Sequence, residues 1–206
     1  MTDRPTAVVT GFGAFGPHRV NPSWSAVELL RDAGVPDVRL VTEQLPVSFA
    51  RATARIGELV AEHEPAVVLC TGLAASRDVL SLERLAVNLA DAPVPDVDGA
   101  QPVDERVLPE GPAALFTTLP VKAAAARLQE EGISVELSLS AGTYVCNAVM
   151  LAALHASSAT AARVGFVHVP PVERLDPARA AQALEVVLRT AVTRSTDTAR
   201  AGGRVD

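Results

Sequence analysis

Apolar and polar positions along the 206-residue chain follow two alternating rhythms. Short, almost continuous apolar runs recur at Thr6-Ala-Val-Val-Thr10, Ala66-Val-Val-Leu-Cys-Thr71 and Arg163-Val-Gly-Phe-Val-His-Val169. Such runs predict strands buried on both faces, as in the middle of a parallel sheet. Weaker strand patterns cover 38–45, 85–89 and 133–139. Between them, 21–31, 48–62, 120–131, 146–156 and 177–192 carry helix-type patterns. The punctuation agrees: Asn21-Pro22 supplies a cap and a first-turn proline, Gly34 stands just past the end of that helix, and Gly132 closes another. Strands alternating with helices predict an α/β fold, a single-domain three-layer α/β/α sandwich around a mostly parallel, twisted sheet. The domain is expected to span 1–192. The polar, glycine-containing stretch 193–206 reads as a flexible tail.

Composition narrows the function. A chain that is 49% hydrophobic over this length can bury one substantial core. The net charge of −6, with arginines scattered singly, argues against nucleic acid, whose binders carry a basic face. No apolar run reaches the roughly 18 residues of a membrane helix, and Met1-Thr-Asp-Arg-Pro-Thr6 lacks a signal-peptide core. Two cysteines do not make a disulfide framework, and a free thiol fits a reducing compartment. These features together predict a soluble cytoplasmic domain.

Two segments break the rhythm. Residues 91–112 hold five prolines and many acids, too long for a connector in a compact α/β domain. They read either as a rim or lid over a site, with a subunit contact as a further role, or as a solvated excursion. The other segment is Thr10-Gly-Phe-Gly-Ala-Phe-Gly-Pro17, directly after the first strand. Its glycines satisfy a G-x-G-x-x-G spacing, but Pro17, His18, Arg19 and Asn21-Pro22 intervene before any helix, so no helix terminus is placed for a pyrophosphate. Phe12 and Phe15, two of only five phenylalanines, lie in this loop. Exposed aromatics there are unfavourable unless they line a pocket or fold onto the core, which suits an apolar ligand better than a nucleotide.

Candidate chemistry centres on Cys146. A turn at Gly142-Thr143 separates the preceding strand from a helix opening at about Tyr144 to Cys146. A thiol in a helix's first turn faces unpaired N–H groups and the positive dipole end, which lower its pKa and could bind an oxyanion. The alternative is a small apolar residue packed at a helix start. A thiol nucleophile needs a base. Of the four histidines, His18 falls in a loop, His63 and His155 at helix ends, and His168 near the carboxyl end of an apolar strand. Sites in open α/β sheets gather outside carboxyl strand ends, and Cys146 also follows a strand's carboxyl end. His168 could equally be a hydrogen-bonded core residue. Glu83, just before the apolar run 85–89, could orient an imidazole or be a solvated residue paired with Arg84.

Seven ordered blocks resemble the pyrrolidone-carboxylate peptidases, also called pyroglutamyl peptidases I, a family of cytosolic cysteine peptidases. They are Gly11-Phe-Gly-Ala-Phe-Gly16 with Asn21-Pro22-Ser23, Leu45-Pro46-Val47, Leu82-Glu-Arg-Leu-Ala-Val-Asn88 and Gln101-Pro102-Val-Asp104. Gly111-Pro112-Ala113 with Thr118-Leu-Pro120, Ser140-Ala-Gly-Thr-Tyr-Val-Cys-Asn147 and Gly165-Phe-Val-His-Val-Pro170 complete the set. The resemblance implies a triad with Cys146 as nucleophile, His168 as base and leaving-group acid, and Glu83 orienting the imidazole. It implies release of an amino-terminal pyroglutamyl residue from peptides through a thioester, with no cofactor, no metal and a homotetrameric assembly. Phe12, Phe15, Tyr144 and Val145 match positions that hold the pyrrolidone ring, and Asn21 matches a substrate-site asparagine. Apolar walls with a few hydrogen bonds suit a flat, neutral lactam.

This chain departs from the family pattern at three places. Leu73 stands where a glutamine is common near the substrate, Pro93 where an arginine is, and Leu139 where a polar residue is usual. These bear on rate and acyl preference rather than reaction class. A thiol hydrolase with shifted acyl preference and a non-catalytic binder of pyroglutamyl peptides are the alternatives.

Overall fold

The computed structural model describes residues 4–16 and 20–203. His18 lies outside the described residues. In chain order the elements are β1 (Thr6–Phe12), α1 (Pro22–Ala33), β2 (Arg39–Leu45), α2 (Phe49–His63), β3 (Val67–Leu73), β4 (Leu80–Glu83), β5 (Leu85–Val87), β6 (Ala114–Phe116), α3 (Val121–Glu130), β7 (Val135–Ser138), α4 (Val145–Ala156), β8 (Arg163–Val169) and α5 (Pro177–Thr193). Six strands form the main sheet in the order β2-β1-β3-β8-β4-β7, and β5 with β6 makes a separate antiparallel pair.

The three strands with continuous apolar runs, β1, β3 and β8, lie side by side and are joined in parallel, with β2 parallel at the edge. Their uniform hydrophobicity follows from burial on both faces. One face is covered by α1, α3 and α5, which bury Leu30, Leu128, Leu184 and Leu188 against Val9, Leu69 and Val167. The other is covered by α2 and α4, which bury Ile56, Leu59, Met150 and Leu151 against Val8, Cys70 and Phe166. The result is the three-layer α/β/α sandwich.

Local chemistry explains the helix ends. Asn21 caps α1 by accepting from Ser23 N–H, and Pro22 opens that helix. Ser48 caps α2 by accepting from Arg51 N–H (3.1 Å). The cap of α3 is supplied from a distance: the Asp197 carboxylate accepts the N–H groups of Lys122 (3.0 Å) and Ala123 (2.9 Å).

Two features differ from the sequence pattern. A strand, β4, occupies 80–83, where no separate strand was expected, and the expected strand at 85–89 is the short β5 of the second sheet. Strands of four and three residues are too brief to show a period. In addition, β4 pairs antiparallel with β8 while β7 pairs parallel with β4, so β4 and β7 run opposite to the rest of the sheet. His168 does sit near the carboxyl end of its strand. Cys146 instead follows a strand of reversed direction, and the connection 139–144 brings it back over the sheet.

The 91–112 segment is tied down along its length. Buried Asp96 accepts N–H groups from Phe49, Asp98 and Ala100, and Asn88 pairs with Leu108 through both its N–H and its C=O (2.8 Å each). Thr143 Oγ1 donates to Asp91 C=O (2.7 Å) and the Tyr144 hydroxyl to Pro95 C=O (3.1 Å). Residues 91–95 are thereby held beside the turn that leads to Cys146.

Candidate active site

Cys146 is the second residue of α4, and the connection before it turns at Gly142, whose φ of +81° lies in the left-handed region that favours glycine. The first intrahelical bond runs from Ala148 N–H to Tyr144 C=O (3.2 Å), so the N–H groups of Val145, Cys146 and Asn147 precede the helical ladder. Asn147, which the sequence reading passed over, fixes this end of the helix. Its buried amide accepts Val87 N–H (2.9 Å) and donates to the carbonyls of Val87 (2.8 Å) and Leu89 (3.1 Å).

Gly72 lies next to both the thiol and the strand position of the imidazole. It is the register partner of His168 across the β3–β8 ladder, and a methyl group placed on it would lie 2.8 Å from Cys146 Sγ and 2.9 Å from Phe166 Cζ. Only glycine lets the sulfur approach the sheet this closely. On the other side of β8, Ser81 is the register partner of His168, which puts Glu83, two residues along β4, on the same face. His168 Nδ1 lies 2.8 Å from Glu83 Oε1. A carboxylate only accepts, so Nδ1 carries the proton and Nε2 presents its lone pair. The Phe166 ring packs on the imidazole with centroids 4.7 Å apart.

Glu83 is not the solvated partner of Arg84. It is completely buried, and Arg77 Nη1 donates to its Oε1 (2.6 Å), while Arg84 N–H donates to Ser138 C=O. The other two described histidines end helices, His63 as the last residue of α2 and His155 near the end of α4.

The resting protonation state differs from the helix-dipole expectation. Burial above all, then the negative charge of Glu83 and the neighbouring Cys70, push the Cys146 thiol up to about 12, although the helix terminus and Arg77 act the other way. Burial also lowers the His168 pKa, with Glu83 raising it and Arg77 lowering it further. Desolvation outweighs the dipole because it penalises every charged form in the site. Both directions favour the neutral thiol and the neutral imidazole.

Cys146 lines a cavity of about 530 Å³. All six residues expected at the substrate, Phe12, Phe15, Asn21, Leu73, Tyr144 and Val145, line it, together with Val47, Ala75, Ser76, Pro93 and Val94. Tyr144 is braced by Phe15 (centroids 5.9 Å) and edge-on by Phe49 (5.2 Å). Asn21 is largely committed to structure: its Oδ1 accepts Ser23 N–H (3.1 Å) and Ser23 Oγ–H (2.8 Å), and its Nδ2 donates to Gly13 C=O (3.1 Å). One of its amide hydrogens has no partner among the described residues. Pro93 and Val94 put the 91–112 segment on the cavity rim. Leu139 is exposed and outside the cavity lining.

Such an arrangement suits attack by sulfur on a carbonyl bound in the cavity, with an imidazole to move the proton and helix N–H groups to meet an oxyanion. Among the described residues no cluster of three or more His, Cys, Asp or Glu side chains could hold a metal ion, and no helix is long and apolar enough to cross a membrane.

Fold and site together have the form of a cysteine hydrolase, and comparison with known proteins makes that specific. A family profile described as pyroglutamyl peptidase matches residues 6–193. The chain is 43% identical to a pyrrolidone-carboxylate peptidase of Pseudomonas fluorescens, over 96% of this chain and 98% of that one, and 40% identical to that of Clavibacter michiganensis, over 98% and 100%. Among solved structures it is similar to pyroglutamyl peptidase I of Bacillus amyloliquefaciens (TM-score 0.89, 34% identity, covering 96% of this chain and 100% of that one). It is also similar to the pyrrolidone carboxyl peptidase of Thermococcus litoralis (0.84, 32%, covering 92% and 94%). The chain belongs to the pyroglutamyl peptidase family.

Proposed function

We propose that this protein hydrolyses the bond after an amino-terminal pyroglutamyl residue of peptides, with Cys146 as nucleophile, His168 as base and then acid, and Glu83 orienting the imidazole. One observation carries this reading: Cys146 packs its Sγ on Gly72, the register partner of His168 in the His168–Glu83 pair, and lines an apolar cavity with no charged residue among its described lining residues. A ligand with a free ammonium group would need a carboxylate there. Pyroglutamate, a neutral lactam, does not.

In the first half-reaction His168 Nε2 takes the thiol proton as Sγ attacks the pyroglutamyl carbonyl. With both shifts favouring the neutral thiol and imidazole, proton transfer accompanies attack. The oxyanion faces the N–H groups at the start of α4. Collapse breaks the C–N bond, the leaving amine takes the proton from Nε2, and a thioester remains. Water, deprotonated by the same Nε2, attacks the thioester, and pyroglutamic acid leaves with the proton returned to Sγ. Glu83 stabilises the imidazolium formed in each half and holds its tautomer. Phe12, Phe15, Leu73, Tyr144 and Val145 wall the ring, and the spare amide hydrogen of Asn21 is available to the lactam carbonyl.

The test is release of aminomethylcoumarin from its pyroglutamyl amide by the wild type and by Cys146→Ala. Turnover by the wild type and a loss of more than about 1,000-fold in the variant is expected. No turnover by a folded, reduced wild type would overturn the reading. Release from a different acyl group instead would assign the site to a shifted preference set by Leu73 and Pro93.

The same reading extends to a homotetramer working in the cytoplasm. The exposed side chains of Phe116 and Leu139 support association, and two unbridged thiols suit a reducing compartment. Light scattering giving a monomer mass would overturn the tetramer.

A further inference from the structure

Resting on the reading of Cys146, His168 and Glu83 above, we propose that Arg77 is a positioning residue of the reaction, which fastens the Glu83–His168 pair to the turn carrying Cys146 and keeps the imidazole a neutral base. Arg77 lies in the 74–79 connection between β3 and β4, the segment whose Ala75 and Ser76 also wall the cavity. Its backbone is set by a turn, with Arg77 N–H donating to Ala74 C=O (3.1 Å). From there the guanidinium reaches two ways. Nη1 donates to Glu83 Oε1 (2.6 Å), and Nη2 donates to the carbonyl of Ser140 (3.0 Å), in the connection leading to Cys146. One planar fork thus joins the orienting carboxylate on β4 to the nucleophile's turn.

The second half of the proposal follows from the partners of Glu83. Its Oε2 is buried with no hydrogen-bond partner, and both groups bonded to the carboxylate, Arg77 and His168, meet it at Oε1. A buried carboxylate needs a countercharge. Arg77 supplies one permanently, since a guanidinium does not titrate in the working range. Without it, protonating His168 becomes a way to balance Glu83, and an imidazolium cannot act as the base. The other titratable groups around His168 do not fill the role. Cys146 on α4 and Cys70 on β3 are thiols held neutral, and Glu136 on β7, reached through the Ser81 hydroxyl (2.8 Å), is itself an acid. Arg77 also favours the ionised form of Cys146 and opposes protonation of His168, the directions this role requires.

The experiment is a pH series of kcat and kcat/KM on the pyroglutamyl coumarin amide for wild type, Arg77→Met, Arg77→Lys, Glu83→Gln and the double variant Arg77→Met/Glu83→Gln. Arg77→Met is expected to lower kcat by roughly 10- to 100-fold, as for loss of a partner that orients a functional side chain. KM should stay within about threefold. The acid limb of kcat/KM, which reports protonation of His168, should move up by about one pH unit. Arg77→Lys keeps the charge but not the fork, so its acid limb should stay near wild type while kcat recovers only in part. In the Glu83→Gln background the Arg77→Met change should cost no more than about twofold, because its action runs through Glu83. A folded Arg77→Met with wild-type kcat and acid limb would overturn the proposal, as would losses that multiply fully in the double variant. If Arg77→Met does not fold, Arg77→Lys decides: full wild-type kcat overturns the tether, and partial kcat with an unmoved acid limb supports it. An inactive wild type would sink the peptidase reading itself, whereas an active wild type with an indifferent Arg77 sinks only this inference.

Discussion

The two faces of the central sheet are built to different rules. Under α1, α3 and α5 the core is aliphatic, with Leu30, Leu69, Leu82, Leu128, Leu184 and Leu188 packed together. Under α2 and α4 the same strands turn Cys70, Gly72, Phe166 and His168 outward, and β4 adds Ser81 and Glu83, all but the glycine's neighbour Cys146 deeply buried. Every polar group on this second face therefore needs a named partner. Glu83 has Arg77 and His168, Ser81 has Glu136, and Asn147 has the β5 backbone. An aliphatic face contributes stability through area alone, without direction. The polar face contributes placement, at the cost of desolvating an ion pair that a hydrocarbon core avoids.

This contrast can be broken from either side, and the largest effect is expected on the aliphatic face. Leu184→Ala should cost about 2–5 kcal/mol in unfolding free energy, measured by urea titration, because the side chain is fully buried and little can collapse into the space. Activity per folded molecule should not change, and a large change would mean that the two faces are coupled. On the polar face, Gly72→Ala should do the reverse. The added methyl falls 2.8 Å from Cys146 Sγ and 2.9 Å from Phe166 Cζ, so one or both must shift. A nucleophile displaced by about an ångström loses roughly 100-fold in kcat. Wild-type kcat in a folded Gly72→Ala would show that Sγ is not held where it reacts.

The last effect, smallest at neutral pH, is in the pH dependence of stability. Both thiols are shifted by burial from an ordinary 9.0 up to about 12, so in that window the folded chain keeps two protons that the unfolded chain releases. Their contribution is full below about 9 and is lost as pH rises through 12. Melting temperature should fall across this alkaline range, and Cys70→Ala should make the fall shallower while leaving kcat unaltered at neutral pH. The acid side has the opposite sense. His168 is depressed below its ordinary 6.5, so the unfolded chain takes up a proton that the folded one refuses, and stability declines as pH drops below 6.5. A thermal scan that is flat from pH 9 to 12 would contradict the burial of the thiols.

How far the site could be read in advance depended on how local each feature is. Cys146 and His168 stood out because each interrupts a pattern of its own, a thiol after a Gly-Thr turn and an imidazole inside an apolar strand. Phe12 and Phe15 stood out as aromatics among glycines. Arg77 stood out not at all, although it stands only six positions from Glu83. Its meaning depends on two acceptors, one of them the backbone of Ser140, 63 positions along the chain. Asn147 was hidden for the same reason, since its three bonds go to the backbone of Val87 and Leu89.

By itself the sequence determined the layers and most of the elements, because hydrophobic period, caps and turn residues act over a few positions and do not depend on what lies across the sheet. It also determined which side chains could react. Only the tertiary structure decided the reversed direction of β4 and β7, which short strands do not encode, and the packing of the thiol on Gly72, the register partner of His168. It likewise decided that the Cys146 thiol is pushed up rather than down. A helix terminus is a local field legible from sequence, but desolvation is set by everything packed around the sulfur, and here desolvation is the larger of the two.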